Sequence, residues 1–395
     1  MGFISDLIVN LGLWLEGLMA SIGLPEAWVR FIMFGIGGFM LAIVPFVAVV
    51  FLIWAARKLV ARMQDRMGPN NSGPYPGPYA ILQTFADAIK MLTKEDVVPT
   101  AADRWVFNAA PVVILTVAIL MWAVMPLGKG LIGADLNIGI FYVLSLGSAS
   151  LVAVMMAGWG SNNKYALVGA LRAVAQLISY EIPQVLAVLT VVMVAGTFSM
   201  QGIIEAQRIP FVFSMPLTAL LFFVGSLAEV SRQPFDLSEA DSEIVAGYFV
   251  EYSGMKFGQF YLSEFMNNFA LSVITATLFL GGWRGPFVNS VPVLGTLWIL
   301  LKALAVFFVL LWLWGTMPRL RIDQMLGFNW KFLVPVSLIN VCMVALVGKA
   351  LPPDPNPWVQ AGALLGSNIL LALVVLAIMI VGGRRAREQQ MVASG

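Results

Sequence analysis

The chain of 395 residues is 60% hydrophobic and only 11% charged, too apolar for an ordinary soluble domain, in which about a quarter of residues are charged. Its 23 Lys/Arg against 21 Asp/Glu leave a formal net charge of +2, so bulk charge points to neither a nucleic-acid partner nor an acidic substrate. The absence of histidine and the single cysteine, Cys342, exclude haem ligation, a cysteine-held iron–sulfur cluster, a Cys/His zinc site and an internal disulfide from this polypeptide, leaving redox chemistry to a bound small molecule or a partner.

In chain order, residues 1–30 carry Asp6, Glu16 and Glu26, lack a basic start, and place apolar residues such as Phe3, Leu7, Leu11, Trp14 and Leu18 at helical spacing. That pattern predicts an interfacial helix rather than a signal peptide. A membrane helix needs about 20 mostly apolar residues. Nine stretches qualify: 31–55, 106–126, 138–159, 173–195, 210–228, 262–282, 296–316, 332–350 and 361–382. The fold class is therefore an all-α polytopic membrane protein. The loop after the first span holds Arg57, Lys58, Arg62, Arg66, Lys90, Lys94 and Arg104, and later loops on that side hold Lys164, Arg172, Arg232, Lys256, Arg319, Arg321 and Lys331. The opposite loops hold single bases, so the basic side is cytoplasmic, with the N-terminus outside and the C-terminus inside.

The loop at 56–105 is too long for a tether. Arg62 and Arg66 share a helical face flanking Gln64, which suits lipid-headgroup anchoring or the holding of a partner or a polar headgroup. A Pro/Gly-rich run at 67–78 favours a turned path. Residues 79–93 then predict an amphipathic surface helix, with Ile81, Leu82, Phe85, Ile89 and Leu92 on one face and Gln83, Asp87, Lys90 and Lys94 on the other. This helix reads as a lipid-facing anchor or as a wall over an apolar ligand entering from the bilayer.

Charges at membrane depth are expensive without a partner or an aqueous path. Glu181 lies inside the fourth predicted span, two residues before Pro183, and suits either a proton relay or an ion pair that fixes helix packing. Glu229 closes the fifth span, Lys302 lies in the seventh, and Glu264, at the predicted start of the sixth, reads equally as a solvated helix end. From Glu229 to Lys256 stand Glu229, Asp236, Glu239, Asp241, Glu243 and Glu251 against Arg232 and Lys256, a net of −4 on an otherwise basic side. If 237–249 is helical, Asp236, Glu239 and Glu243 share a face. Crowded carboxylates supply proton acceptors where no histidine exists, although a solvated acidic loop has the same composition. Phe235, Leu237, Ile244, Val245 and Phe249 favour a folded, partly buried loop. Spacing for a calcium loop is missing.

Taken together, these residues resemble the H-type membrane subunit of bacterial respiratory complex I, known as subunit 1 in mitochondria. The resemblance rests on Arg-Met-Gln-Asp-Arg-Met-Gly-Pro-Asn at 62–70, Leu-Gln-Thr-Phe-Ala-Asp-Ala-Ile-Lys at 82–90, Gly-Trp-Gly-Ser-Asn-Asn-Lys-Tyr-Ala-Leu at 158–167, Ser-Tyr-Glu-Ile-Pro at 179–183, Ala-Glu-Val-Ser-Arg-Gln-Pro-Phe-Asp-Leu at 228–237, Glu-Ile-Val-Ala-Gly-Tyr-Phe-Val-Glu-Tyr-Ser at 243–253 and Pro-Arg-Leu-Arg-Ile-Asp-Gln at 318–324. Ala56, Ser238 and Trp314 stand where the family commonly has glutamate, proline and arginine.

The resemblance implies an N-terminal segment at 1–30, an eight-helix membrane core at 31–350 with quinone-site loops at 56–105 and 229–258, and an additional helix with a basic tail at 351–395. It implies a membrane subunit of a proton-translocating NADH-quinone oxidoreductase in the bacterial inner membrane. Arg57, Arg62, Gln64, Arg66, Gln83, Asp87, Arg232 and Phe235 would line the quinone channel. Glu181, Glu229, Asp236, Glu239, Glu243 and Glu251 would form the proton relay. Quinone would be the substrate, and NADH, FMN and iron–sulfur clusters would reside in partner subunits. Partners would be the peripheral arm with its terminal iron–sulfur subunit, small membrane subunits, antiporter-like subunits and membrane lipids. A stand-alone transporter, a structural adaptor and a membrane-hydrogenase relative are the competing readings.

Overall fold

The computed structural model describes residues 3–21, 23, 25–70, 80–236, 245–288, 291, 293–352 and 356–394. Every long element among these residues is helical. A first helix, α1 (Phe3–Ser21), packs on α2 (Glu26–Met63), which runs well past both ends of the predicted first span. The surface helix α3 (Gln83–Thr93) begins a turn later than predicted, after Ala80 with a positive φ of 44°. Then follow α4 (Arg104–Met121), α5 (Gly139–Gly160), α6 (Lys164–Ala195), α7 (Met200–Ala206), α8 (Phe211–Ser214) and α9 (Pro216–Glu229). The chain closes with α10 (Gly254–Phe279), α11 (Val293–Thr316), α12 (Ile322–Phe328), α13 (Val334–Ala350) and α14 (Pro357–Ser394).

Local chemistry fixes several of these ends. The Asp103 carboxylate accepts the N–H groups of Trp105 (3.1 Å) and Val106 (3.4 Å), and the Asn163 side chain accepts that of Tyr165 (2.9 Å), capping α4 and α6. Gly196, at φ +70°, returns its N–H to the Val192 carbonyl and stops α6. Between α12 and α13 the helix widens into a π turn at Asn329–Leu333. Pro335, lacking an N–H and crowding the carbonyl four residues back at Lys331, accounts for that widening.

Seven of the described helices are long and apolar enough to cross a membrane: Glu26–Met63, Arg104–Val124, Gly139–Gly160, Lys164–Ala195, Val293–Thr316, Ile322–Ala350 and Pro357–Val381. The two remaining predicted spans differ for separate reasons. The stretch at 210–228 is broken at Met215, leaving a four-residue α8 and a 14-residue α9 that starts on Pro216. The stretch at 262–282 belongs to α10, which begins eight residues earlier at Gly254 and carries polar side chains along its length. Three of them are buried and internally satisfied: Ser272, Thr275 and Thr277 donate to the carbonyls of Asn268, Leu271 and Val273 at 2.7–2.9 Å. Apolarity is therefore a poor marker of this helix, which is enclosed by α2, α3, α4, α9 and α11 rather than by solvent.

Helix α6 packs against α5, α9 and α13. Its Tyr180 hydroxyl donates to the Met325 carbonyl (3.0 Å), and the fully buried Asn329 of the π turn donates to Ser179 O (2.6 Å). A second polar knot joins α9, α13 and α14: Asn340 donates to Thr218 Oγ1 (2.9 Å), and the Thr218 N–H donates to Asn368 Oδ1 (3.4 Å), all three side chains being buried.

The described end of the 237–249 stretch, for which a helix would set Asp236, Glu239 and Glu243 on one face, is not α-helical. Val245 and Gly247 have positive φ values of 66° and 67°, followed by a single tight turn at Gly247–Phe249; residues 237–244 lie outside the described residues. This turn lies directly on Gly169 of α6, where a Cβ would stand 2.7–2.9 Å from Gly247 C, Gly247 Cα and Tyr248 N. Gly169→Ala is expected to lift the 245–252 segment and to destabilise the chain by about 1–3 kcal/mol, the usual range for overpacking. A lowered melting temperature in detergent checks this, and wild-type stability would contradict it.

Candidate functional site

Three helices bring two acids together inside the bundle. Glu181 projects from α6 and accepts a hydrogen bond from Ser148 Oγ of α5. Glu229, at the end of α9, accepts from Gln184 Nε2 (2.6 Å), one turn along α6 from Glu181. Its other oxygen lies over Gly147, where a Cβ would come within 3.0 Å. Because Gly147 and Ser148 are consecutive, the two carboxylates approach the same short stretch of α5 and repel one another electrostatically.

Beyond Glu229 lies a cavity of about 60 Å³, room for a few water molecules. Its walls include Ser150 of α5, Ser231, Tyr248, and Ser263, Glu264 and Asn267 of α10. Glu264 is thus the acid that sequence reading undervalued. It lies ten residues inside α10, and its side chain, 19% exposed, is paired at 2.7 Å with Arg232, 8% exposed. The signal available was Asn267-Asn268 one turn on, a polar pair unsuited to a lipid-facing helix. Arg232 itself is stacked over Trp314 (4.2 Å) and Phe265 (5.0 Å). Expected to line a channel, Arg232 closes an internal ion pair.

Asp236 is drawn away from the other acids. It pairs with Arg319 (3.0 Å) in the segment between α11 and α12, while Leu320 N donates to Pro234 O (3.0 Å). Phe235, another expected channel residue, is 4% exposed and lies with its ring 5.0 Å from that of Tyr180. Its carbonyl, and that of Ala228, accept the two N–H bonds of the fully buried Gln176 amide (2.7 and 2.8 Å). That amide fixes the turn following Glu229. Glu251 accepts a bond from Asn163 Nδ2 (2.6 Å) beside the start of α6, where the helix dipole favours an anion. Next to it, Tyr252 stacks on Phe107 at 4.0 Å and donates to the Phe107 carbonyl (3.0 Å), and burial pushes its phenol pKa up, keeping it a neutral donor. Glu239 and Glu243 lie outside the described residues.

At the foot of α2, Arg57 pairs with Asp87 of α3, whose other oxygen accepts from Gln83 Nε2 (3.1 Å). Lys90 adds a looser contact at 3.8 Å. Gln83 and Asp87 on the polar face of α3 are therefore turned towards α2, while Lys90 and the apolar Phe85, Ile89 and Leu92 remain exposed. Arg57, Glu264 and Arg232 all lie near enough to the Tyr261 phenol to act on it electrostatically. Arg62, Gln64 and Arg66 do not join this group; they are exposed where α2 ends, with Arg66 Nε donating to Gln64 Oε1 (2.9 Å). Ala56 is buried in the core.

The result is a series of ionisable groups running from Asp87 and Arg57 through Tyr261 to Arg232 and Glu264, then across the cavity to Glu229 and Glu181. Chemically it suits the uptake and passage of charge, since protonation of one carboxylate changes the field at the next. Among the described residues no cluster of three or more metal-ligating side chains occurs.

Residues 36–345 match the family model described as NADH dehydrogenase. The chain is 46% identical to the H-type subunit of NADH-quinone oxidoreductase from Dehalococcoides mccartyi strain CBDB1, over 86% of this chain and 93% of that protein. It is 43% identical to the corresponding subunit from Chlorobaculum tepidum over 85% and 97%, and 44% identical to that from Geobacillus kaustophilus over 80% and 93%.

Proposed function

The chain belongs to the NADH dehydrogenase family of membrane subunits, which includes the H-type subunits of the NADH-quinone oxidoreductases, and from that premise we propose that it lines part of a quinone channel and couples quinone reduction to proton translocation. The observation that carries this reading is the cavity shared by Glu229 and Glu264, linked at one end to Arg57 and Asp87 and at the other to Glu181.

Reduction of a quinone to a quinol takes up two electrons and two protons. A headgroup reduced near Arg57, Gln83 and Asp87 withdraws protons or leaves negative charge, and in a low-dielectric setting either disturbs the neighbouring ion pairs. Arg57 and Tyr261 transmit the disturbance to Arg232 and Glu264; the cavity then carries it to Glu229 and Glu181. Asp236 and Glu251, each held by a partner outside the series, position the loop in this reading, while Glu239 and Glu243 would extend the relay. Arg62, Gln64, Arg66 and the apolar face of α3 would meet the peripheral arm or the quinone tail. Electrons would arrive from an iron–sulfur cluster in that arm, and NADH and FMN would bind elsewhere in the assembly.

We further propose that α9 and α10 complete nine crossings with the seven apolar helices. A short helix in the shelter of its neighbours and a polar helix enclosed on all sides both meet the requirement that backbone groups be satisfied within the bilayer. The basic loops then set the N-terminus outside and the C-terminus inside a bacterial inner membrane, and residues 351–395 add to an eight-helix core.

Glu181→Gln tests the relay. In the assembled complex the expected result is normal abundance on a native gel with a clear fall in protons translocated per quinone reduced, measured by acidification of inverted vesicles. Normal assembly with an unchanged ratio would remove Glu181 from the relay.

A further inference from the structure

We infer that Trp314 is a positioning residue whose indole face holds the Arg232 guanidinium against Glu264, and that this clamp sets how efficiently charge passes through the cavity. The inference rests on the coupling function proposed above. Arg232 lies in the turn directly after Glu229, with its side chain 8% exposed, so it has little water to compensate its charge. Its compensation comes from the Glu264 carboxylate at 2.7 Å and from two ring faces, Trp314 at 4.2 Å and Phe265 at 5.0 Å. Of the two rings, Trp314 is the nearer, and indole has the strongest attraction for a cation. Phe265 adjoins Glu264 on α10 and moves with it. Trp314 belongs to α11, so of the two rings it is the one that ties the guanidinium to a different helix.

The surroundings connect this clamp to the loop that carries Arg232. Three residues beyond α11, Arg319 pairs with Asp236 at 3.0 Å, and Leu320 N donates to the Pro234 carbonyl at 3.0 Å. The end of α11 and the 232–236 turn are thereby fastened together next to the Trp314 contact. A displacement of the turn reaches Trp314, and a displacement of Trp314 alters how tightly Arg232 engages Glu264. Without the ring, one of the contacts that hold the guanidinium against Glu264 is gone, and the carboxylate that faces Glu229 across the cavity is engaged less tightly.

The test uses the whole complex in inverted vesicles, with quinone reduction and acidification recorded together. Trp314→Leu, apolar and bulky but without a ring, is expected to lower protons translocated per quinone reduced by twofold or more. Trp314→Phe, which keeps a ring face, is expected to retain most of the wild-type ratio. In a Glu264→Gln background, Trp314→Leu should add no further loss. A ring that merely fills space also favours Phe over the smaller Leu, so a fluorinated series separates shape from attraction, and equal ratios in the Leu, Phe and wild-type complexes would overturn the inference. Tryptophan fluorinated on the ring, placed at position 314 alone, preserves shape while weakening the ring's attraction for cations, and it serves equally should Trp314→Leu fail to assemble. A graded fall in the ratio with fluorination supports the clamp, and a flat response overturns it. Absence of quinone-linked acidification in the wild-type complex would instead overturn the coupling function itself, whereas a coupled wild type unaffected by the Trp314 variants overturns the clamp alone.

Discussion

Replacing Glu229 by Gln is expected to leave the complex assembled and to reduce proton translocation per quinone reduced by about tenfold or more, the scale on which removal of a positioned proton-transfer group acts. Shape is conserved: the new amide keeps an oxygen able to accept the Gln184 N–H bond, and Gly147 leaves space for either terminus. What disappears, on the proposed relay, is the ability to take up and release a proton between the cavity and Glu181. Glu229 is the group common to both halves of the series, so its loss interrupts the path more completely than that of Glu181. Parallel recording of acidification and quinone reduction in inverted vesicles is the measurement. A wild-type ratio at normal abundance would rule out a relay through this residue.

The second large effect concerns folding. Arg232→Met removes the cation facing Glu264 and leaves a carboxylate with a side chain only 19% exposed beside Phe265 and Trp314. Breaking one partner of a buried ion pair commonly costs about 3–5 kcal/mol, because the remaining charge loses its counter-charge where water screens it poorly. Adding Glu264→Gln should return much of that loss, since a neutral amide is far less penalised in the same space. The comparison requires thermal unfolding of wild type, Arg232→Met, Glu264→Gln and the double variant in one detergent. If the double variant is no more stable than Arg232→Met, the destabilisation comes from lost packing against the rings and not from an orphaned charge.

The sequence made the membrane helices legible wherever lipid demands apolarity, and concealed them where protein encloses the helix. Spans such as 138–159 and 173–195 could be read directly because much of their surface is apolar. The start of helix α10 was misplaced because its first two turns contain Gly254, Lys256, Gly258 and Gln259, which carry no apolar signal although the helix runs from Gly254. The misplaced start made Glu264 look like a helix end. The break at Met215 was equally hidden, since Phe211–Glu229 is apolar across it and only Pro216 marks the second start. At the site, Glu181 and Glu229 were legible as charges at depth, but their approach to Gly147 and Ser148 is a property of helix packing. Arg232 and Asp236 carried no sequence sign of their partners, Glu264 and Arg319, which come from distant helices and loops.

The knot of Thr218, Asn340 and Asn368 has a consequence for biogenesis. Synthesis proceeds from the N-terminus, so α9 and α13 leave the ribosome before the helix that supplies Asn368. Until α14 arrives, the Thr218 backbone N–H lacks its amide acceptor, and Asn368 must itself enter the bilayer as a polar residue seeking that contact. Docking of the late helix thus satisfies groups on both sides at once, so the polar knot closes only when α14 is in place.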